Sequence, residues 1–157
     1  MKIVLIVIGK TAASYLREGI ADYEKRLKYY ITFEYRELPD VKNVQNLSEE
    51  QLKEKEGSLL LKQLGASDEL ILLDEHGKQF SSKKWAVYLE HKMLHNTKTL
   101  VFAIGGAYGF SNAVYKKASD KLSLSSMTFS HQMVRMIFLE QLYRAYTIIK
   151  GEPYHHG

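Results

Sequence analysis

Strand-like and helix-like segments alternate along the whole chain, and this alternation restricts the fold more than any other feature. Strands are predicted at residues 3–8, 31–36, 70–73, 100–104 and 121–124. Helices are predicted at about residues 12–30, 48–65, 82–94 and 132–150, with a short helix from residue 111. This order predicts an α/β fold with a mostly parallel sheet flanked by helices. The length corresponds to one domain, residues 1–157.

Local signals indicate where several of these elements begin and end. Ser48 and Gln51 have the spacing of a capping box at the start of the second helix. Thr11 is expected to cap the first helix. The polar run Asp74–Lys78 is predicted to be a turn that ends the third strand.

The composition excludes several kinds of chemistry. The chain contains no cysteine, which excludes disulfides, thiolate metal sites and cysteine nucleophiles and fits a reducing, cytoplasmic location. The apolar run after Met1 is too short to span a membrane and lacks the cleavage site of a signal peptide. Lys and Arg total 22 against 18 Asp and Glu, and the net charge of +4 permits a polyanionic partner.

The last predicted helix is apolar around nearly its whole circumference. Its apolar side chains are Met133, Val134, Met136, Ile137, Phe138, Leu139, Leu142, Tyr143, Tyr146, Ile148 and Ile149. A helix of this kind should be buried on most sides. It is either the central core helix of a monomer or a helix covered by a second subunit, and its place near the C-terminus of a small chain favours a dimer.

Three loops are candidates for a ligand site, because open α/β sheets bind ligands at the carboxyl ends of their strands. They follow Leu73, Ile104 and Leu124. The second loop contains Gly105-Gly106-x-x-Gly109. Its backbone can approach a ligand without interference from side chains, or the glycines can simply form a tight turn.

Three other segments resemble known binding motifs, but each lacks a residue that its motif requires. Gly9-Lys10-Thr11 lacks the earlier glycine of a phosphate-binding loop, because Val4 occupies that position. The glycine-rich loop does not match G-x-G-x-x-G, which weighs against a nicotinamide cofactor. His91 and His95 have metal-ligand spacing, but Lys92 stands where a zinc protease needs its glutamate, so we predict surface histidines and no metal site.

The segment at residues 122–131 interleaves short hydroxyl side chains with apolar ones and leads directly into the last helix. Such a loop offers backbone donors and acceptors to an adenine edge and apolar side chains to its faces. The alternative is a plain connection in which Ser130 caps the helix.

The C-terminal residues contain the remaining candidates. The segment after Gly151 is either a frayed tail or a device that brings Tyr154 and His155 to a partner's ligand pocket. Arg144 either pairs with Glu140 one helical turn away or faces a phosphate or a base.

Four segments, taken together, resemble one known family. They are Ile104-Gly105-Gly106-x-x-Gly109, Leu122-Ser123-Leu124-Ser125-x-Met127-Thr128-Phe129-x-His131, Tyr143-Arg144-Ala145 and Pro153-Tyr154-His155. They resemble the RlmH family, the SPOUT-class methyltransferases of pseudouridine N3 in 23S ribosomal RNA. The resemblance extends over the whole chain, including the opening Met1-Lys2-Ile3 strand and Tyr23-x-Lys25-Arg26.

The resemblance implies a SPOUT-type fold in which the C-terminal segment forms a deep trefoil knot. It implies that S-adenosylmethionine binds in this knot, mainly through backbone contacts. The implied cofactor-binding residues are Leu73, Gly105, Gly106, Leu124, Ser125, Ser126, Met127, Thr128, Phe129 and Ser130. It also implies a homodimer that shares its active site between subunits and acts on 23S rRNA within the assembled ribosome, without a metal or a membrane.

The implied reaction moves a methyl group to N3 of a pseudouridine, whose imide N–H must lose its proton before the nitrogen attacks. The site must help to remove this proton and hold the base and the methyl group in line. By resemblance, the catalytic candidates for positioning and proton handling are Arg144, Tyr154 and His155. The residues leave open which of them, if any, is the base.

Two positions differ from the family or vary within it. Family members commonly have proline before the histidine, whereas this chain has Phe129-Ser130-His131. The serine restores a backbone N–H and loosens the loop. Tyr108 lies in a variable stretch, where it could line the pocket or stack on a base.

Three other functions compete with this prediction. A non-catalytic RNA- or ribosome-binding module would explain the charge but would leave the glycine-rich loop and the Tyr-His tail without a role. A SPOUT-class enzyme acting on tRNA generally carries an added RNA-binding domain, for which this chain has no spare length. A nicotinamide oxidoreductase lacks its glycine fingerprint.

Overall fold

The computed structural model describes residues 1–157 and contains five strands and five α-helices. The strands are β1 (Lys2–Ile8), β2 (Thr32–Leu38), β3 (Asp68–Gln79), β4 (Thr99–Ile104) and β5 (Asp120–Ser123). The helices are α1 (Ser14–Leu27), α2 (Glu49–Leu61), α3 (Ser82–Leu94), α4 (Asn112–Lys117) and α5 (Met133–Ile149). A short 3-10 turn at Val44–Asn46 precedes α2.

The strands form one sheet in the order β2-β1-β4-β3-β5, and every neighbouring pair is parallel. The predicted α/β class is therefore confirmed. Residues 3–8 of β1 are all buried, as expected for a strand covered on both faces of a parallel sheet. One face packs against α1, α3 and α5 through side chains such as Leu27, Trp85 and Phe138. The other face packs against α2 and α4 through Leu60 and Val114.

Helix α5 buries one face within the chain and leaves the other partly exposed. Phe138, Leu139, Leu142, Ala145 and Tyr146 are at most 1% exposed. The opposite side chains are only half-buried, and they include Met133, Ile137, Gln141, Arg144 and Ile148. The chain itself therefore covers about half of the apolar circumference that the sequence shows.

The predicted turn at Asp74–Lys78 is wrong, because β3 continues to Gln79. The pairing of β3 with β5 shifts in register between Leu73 and Lys78, and both of these residues pair with Leu122. A Cβ atom added at Gly77 would lie 2.6 Å from the backbone carbonyl carbon of Lys121, so the two backbones approach closely there. A polar run with glycine is typical of a turn, and nothing in its local sequence indicates that it belongs to a bulged strand.

The capping box of Ser48 and Gln51 at the start of α2 is confirmed. The predicted cap by Thr11 is wrong, because α1 begins at Ser14 without a side-chain cap. Thr11 is buried instead, and its hydroxyl donates to the carboxylate of Glu37 at 2.6 Å. The local sequence predicts that the Thr11 hydroxyl caps α1, but in the structure this hydroxyl bonds to Glu37 on β2.

The buried guanidinium of Arg135 joins the end of β1 to α5. Its side chain is 1% exposed. It donates to the backbone carbonyls of Ile8 at 2.8 Å and Gly9 at 2.9 Å, and to the Thr11 hydroxyl at 3.1 Å. Its Nε donates to the carbonyl of His131 at 3.3 Å. The apolar pattern of the last helix gave no sign that a charge would be buried at this position.

No helix of the structure combines the length and the apolar character needed to cross a membrane.

We expect Arg135→Leu to lower the free energy of unfolding by about 3–5 kcal/mol, because it leaves buried carbonyl groups without donors and Glu37 without a nearby cation. Urea unfolding followed by circular dichroism at one fixed protein concentration measures this change. The control is Arg26→Leu, which removes an ion pair with Asp22 in which both side chains are about half exposed, and it should change stability by less than about 1 kcal/mol. Equal effects of the two substitutions would contradict the role of Arg135.

Candidate active site

The second half of β3 and the loops that follow β4 and β5 line one cavity of about 440 Å³. This volume lies within the range of about 300–1,000 Å³ that is typical of small-molecule sites. The lining residues fall into three stretches of chain and one helix end: residues 73–76, residues 104–110 with Tyr115, residues 122–125 and 127–129, and His131 with Val134. The prediction that the carboxyl ends of the strands form the ligand site is consistent with this geometry.

The structure brings most of the predicted cofactor-binding residues together. Leu73, Gly105, Gly106, Leu124, Ser125, Met127, Thr128 and Phe129 line the cavity, whereas Ser126 and Ser130 do not. The Ser130 hydroxyl accepts a hydrogen bond from the backbone N–H of Met133 at 3.0 Å, so it satisfies a donor at the start of α5, although the N-cap position itself is Gln132. Tyr108 lines the cavity, as one of its two predicted roles requires.

Among the lining residues that were not predicted as site residues, Asp74, Glu75, His76 and Tyr115 have polar side chains outside the two segments at residues 104–109 and 122–131. The first three lie in the stretch that was predicted to be a turn. Their position directly after the buried apolar part of β3 is the signal that could have identified them, because side chains there reach the ligand edge of the sheet.

The glycine-rich loop is both a tight turn and a wall of the cavity. The backbone N–H of Gly109 donates to the carbonyl of Gly106 at 3.2 Å, and Gly109 has a φ of +85°, which favours glycine. A Cβ atom at Gly106 would lie 2.5 Å from a carboxylate oxygen of Glu56 on α2. The two interpretations of this motif are therefore compatible.

Hydrogen bonds hold the loop between β5 and α5. The Ser123 hydroxyl donates to the carbonyl of Ser125 at 2.9 Å, and the Ser125 hydroxyl accepts from the backbone N–H of Met127 at 3.0 Å. The Thr128 hydroxyl donates to Glu75 at 3.2 Å. The loop is thus tied both to itself and to the wall formed by β3.

The charges that line the cavity are negative, although the whole chain is basic. Asp74 and Glu75 are lining residues, and no Lys or Arg is among them. Burial acts to raise the pKa of Asp74, but hydrogen bonds from the Tyr115 hydroxyl and the His76 backbone lower it below its usual value. Burial and the bond to Asp74 raise the pKa of Tyr115 to about 12. The cavity therefore suits a cationic ligand better than one rich in phosphate.

The predicted catalytic residues Arg144, Tyr154 and His155 form a second group, at the C-terminal end of α5. The Arg144 guanidinium donates to Glu140 at 3.0 Å and to His155 Nδ1 at 3.1 Å, and it lies 4.7 Å from the centroid of the Tyr154 ring. The Tyr154 hydroxyl donates to the same Glu140 oxygen at 3.3 Å. We call these four residues the tail cluster.

The tail cluster shows that the C-terminal segment is anchored rather than frayed. The Tyr30 hydroxyl donates to Glu152 at 2.6 Å, and the Tyr143 and Tyr154 rings meet edge to face at 4.8 Å. Arg144 pairs with Glu140 as the spacing predicts, and its alternative role of facing a phosphate or a base stays a prediction. Its contact with His155 could not be read from spacing.

The tail cluster presents donors rather than a free base. Because a guanidinium only donates, His155 accepts at Nδ1 and carries its proton on Nε2. Burial, with hydrogen bonding to Tyr23, raises the pKa of Tyr154 above its usual value. Hydrogen bonding to Glu140 raises the pKa of Arg144. At neutral pH the phenol and the guanidinium therefore both keep their protons.

The tail cluster and the cavity lie at opposite ends of α5. His131 and Val134 line the cavity, whereas Arg144, Tyr154 and His155 do not. The ten residues from Val134 to Arg144 correspond to about 15 Å along a helix axis. Within one chain, the cavity and the tail cluster are therefore too far apart to form one site.

His91 and His95 are exposed, and their rings stack with centroids 3.9 Å apart, so the prediction of surface histidines is confirmed. No group of three or more His, Cys, Asp or Glu side chains has an arrangement that could hold a metal ion.

A family model described as "Predicted SPOUT methyltransferase" matches residues 1–155. The five-stranded parallel sheet, with a cavity at the carboxyl ends of its strands, is consistent with this class of protein. The protein is a methyltransferase of SPOUT type, and its C-terminal knot stays a prediction.

Relatives with nearly the same length narrow the family further. The chain is 62% identical over 156 residues to a protein of Parabacteroides distasonis and 60% identical over 156 residues to one of Flavobacterium johnsoniae, each match covering 99% of both chains. Both relatives are named ribosomal RNA large subunit methyltransferase H. The chain belongs to this family, the RlmH family.

We expect Glu140→Gln to free the C-terminal segment without unfolding the protein, because the amide weakens the charge-assisted bonds to Arg144 and Tyr154. Cleavage by chymotrypsin after Tyr154, followed by mass spectrometry, should become about tenfold faster. The exposed Glu18 provides the control, and Glu18→Gln should leave the cleavage rate unchanged. Unchanged cleavage in Glu140→Gln would mean that other contacts hold the segment.

Proposed function

We propose that the protein transfers a methyl group from S-adenosylmethionine to N3 of a pseudouridine in 23S rRNA of the assembled ribosome, and that it does so as a homodimer. The observation that carries the cofactor assignment is the cavity with two carboxylates and no Lys or Arg in its lining. The rRNA substrate is transferred from relatives that are named ribosomal RNA large subunit methyltransferase H.

The residues of the cavity fit this cofactor. The backbone around Gly105 and Gly106 can approach it closely, and Leu124, Met127 and Phe129 offer apolar contacts to an adenine ring. Leu73, Ser125 and Thr128 also line the cavity. Ser126 and Ser130 lie outside the lining, and they stay in the proposed binding set as neighbours in the same loop. S-adenosylmethionine supplies an electrophilic methyl group on a sulfonium, whose positive charge matches the carboxylates of Asp74 and Glu75.

The proposed role of the tail cluster follows from its protonation. Arg144, Tyr154 and the Nε2–H of His155 are donors, and a pyrimidine that releases its N3 proton to solvent water gains negative charge on its carbonyl oxygens. Donors that are already in place where charge develops lower the barrier without reorganisation. Arg144 therefore holds the base and stabilises its anion, while Tyr154 and His155 orient it.

The homodimer is proposed because one chain keeps the cavity and the tail cluster apart. The two lie about 15 Å apart along α5, which is too far for one methyl transfer. The half-buried apolar face of α5 connects them. Two copies that pack through these faces with α5 reversed would bring the tail cluster of each to the cavity of the other, in the self-complementary manner of a two-fold interface.

We expect Arg144→Ala to lower methyl transfer at least 100-fold while the affinity for S-adenosylmethionine stays within about twofold, because Arg144 does not line the cavity. The substrate is ribosomes that lack this methylation, with labelled cofactor and mapping of the modified nucleotide. Arg144→Lys keeps the charge but loses the planar donor fork, and it should retain an intermediate activity. Label on any other nucleotide would overturn the proposed substrate, and failure to bind the cofactor would favour a non-catalytic RNA-binding module.

Mixing two inactive variants should restore activity if the site is shared. Ala107→Trp fills the cavity and Arg144→Ala removes the donor, so a heterodimer contains one intact site and one doubly defective site. Subunit exchange at equal concentrations should recover about a quarter of the wild-type activity. Each variant incubated alone is the control, and a mixture no more active than its components would place the complete site within one chain.

The modest charge of +4 leads us to propose that docking requires a composite ribosomal surface rather than RNA alone. Intact ribosomes should then be methylated far better than an isolated hairpin that carries the same pseudouridine. Comparable rates on the two substrates would contradict this proposal.

A further inference from the structure

Glu56 of α2 lies directly behind the glycine-rich loop. A Cβ atom at Gly106 would be 2.5 and 2.7 Å from its two carboxylate oxygens. Glu56 lines a narrow crevice whose other wall is the loop itself, including Gly105, Gly106 and Gly109. The same three glycines line the large cavity on the other side. The wall between this carboxylate and the proposed cofactor site therefore includes a stretch of backbone that has no side chains, flanked by Ile104 and Phe110.

The charge of Glu56 has no partner within the chain. Its Oε1 is buried and makes no hydrogen bond. Lys53 lines the same crevice, but its ammonium pairs with Glu50 at 2.7 Å. Burial, with a smaller contribution from the negative charge of Asp40, raises the pKa of Glu56. This carboxylate is thus destabilised where it stands, and a cation nearby would relieve that cost.

The two carboxylates that line the cavity are in a different situation. Asp74 accepts hydrogen bonds from the Tyr115 hydroxyl and the His76 backbone, and Glu75 accepts one from Thr128. Their charges are partly satisfied by neighbours. Glu56 is the carboxylate at this edge of the sheet whose buried oxygen is left uncompensated.

We propose that Glu56 is a specificity-determining residue that acts through the Gly105–Gly106 turn, favouring the cationic S-adenosylmethionine over the neutral S-adenosylhomocysteine. This inference rests on the proposed function, because it assumes that these molecules occupy the cavity. A fixed charge behind a thin backbone wall attracts a sulfonium without touching it. Loss of that positive charge in the reaction removes the attraction, so the same residue promotes release of the product.

The requirement for glycine at position 106 follows from this arrangement. Any side chain there would meet the Glu56 carboxylate and push it away from the turn. The absence of a side chain lets the charge and the cavity approach each other with little polarisable material or water between them, and this keeps the interaction strong. The close backbone approach at Gly106 and the unpaired carboxylate of Glu56 together allow this charge to act on a ligand in the cavity.

The decisive variant is Glu56→Gln, which keeps the size of the side chain and removes its charge. Calorimetric titration of the full-length protein with S-adenosylmethionine and with S-adenosylhomocysteine measures both affinities. We expect the affinity for the cationic cofactor to fall on the order of tenfold, and that for the neutral product to change less than about twofold. The melting temperature of the ligand-free protein should stay the same or rise, because an unpaired buried charge has been removed.

Two further variants separate charge from structure. Glu56→Asp keeps the charge and should keep most of the preference for the cation. Glu54→Gln removes an exposed charge from the same helix and should leave both affinities unchanged.

The outcomes distinguish the inference from the proposed function. Equal weakening of both ligands, or a lower melting temperature with an unchanged ratio of affinities, would show that Glu56 is only structural and would overturn the inference. If the wild-type protein bound neither ligand, the proposed function would fail and the inference with it.

Discussion

The contacts of Arg135 are the interaction on which the rest of the structure depends. A single buried side chain satisfies carbonyl groups at the end of β1 and at His131, where the cavity loop enters α5. The end of β1, the entry of α5 and the residues before α1 are thus fixed to one another by directional bonds. Apolar packing alone would allow α5 to slide along the sheet, because hydrophobic contacts have little directional preference. The planar fork of donors removes this freedom.

Much of the fold could be predicted from the sequence, because the signals were local. Apolar runs such as residues 3–8 and 100–104 are typical of buried parallel strands, and the capping box at Ser48 marks a helix start by itself. The predictions failed where contacts with distant parts of the chain determine the local structure. Thr11 prefers Glu37 over the helix end, and Asp74–Lys78 continues β3 because β5 is there to pair with it. The trefoil knot stays a prediction from the family resemblance, because a knot depends on the path of the whole chain and no local pattern encodes it.

The candidate site divides in the same way. The three predicted ligand segments were found from the rule that parallel sheets bind ligands at one edge. The structure gathers them around one cavity, although the first of them is part of β3 and not a loop. The partnership of Arg144 with Glu140 followed from helical spacing. The place of Glu56 behind Gly106 had no such signal, because a glutamate on an amphipathic helix is ordinarily solvated. Only its three-dimensional neighbours distinguish it from Glu54 two residues earlier.

Helix α5 also acts as a spacer of fixed length between the His131 end and the Arg144 end of the molecule. One inserted residue would turn everything beyond it by about 100° and advance it by about 1.5 Å. The guanidinium would then point to a different side of the rod, and the edge-to-face contact of Tyr143 with Tyr154 would be lost. Length variation among related sequences should therefore be rare inside this helix and common in the mostly exposed connection at residues 41–47.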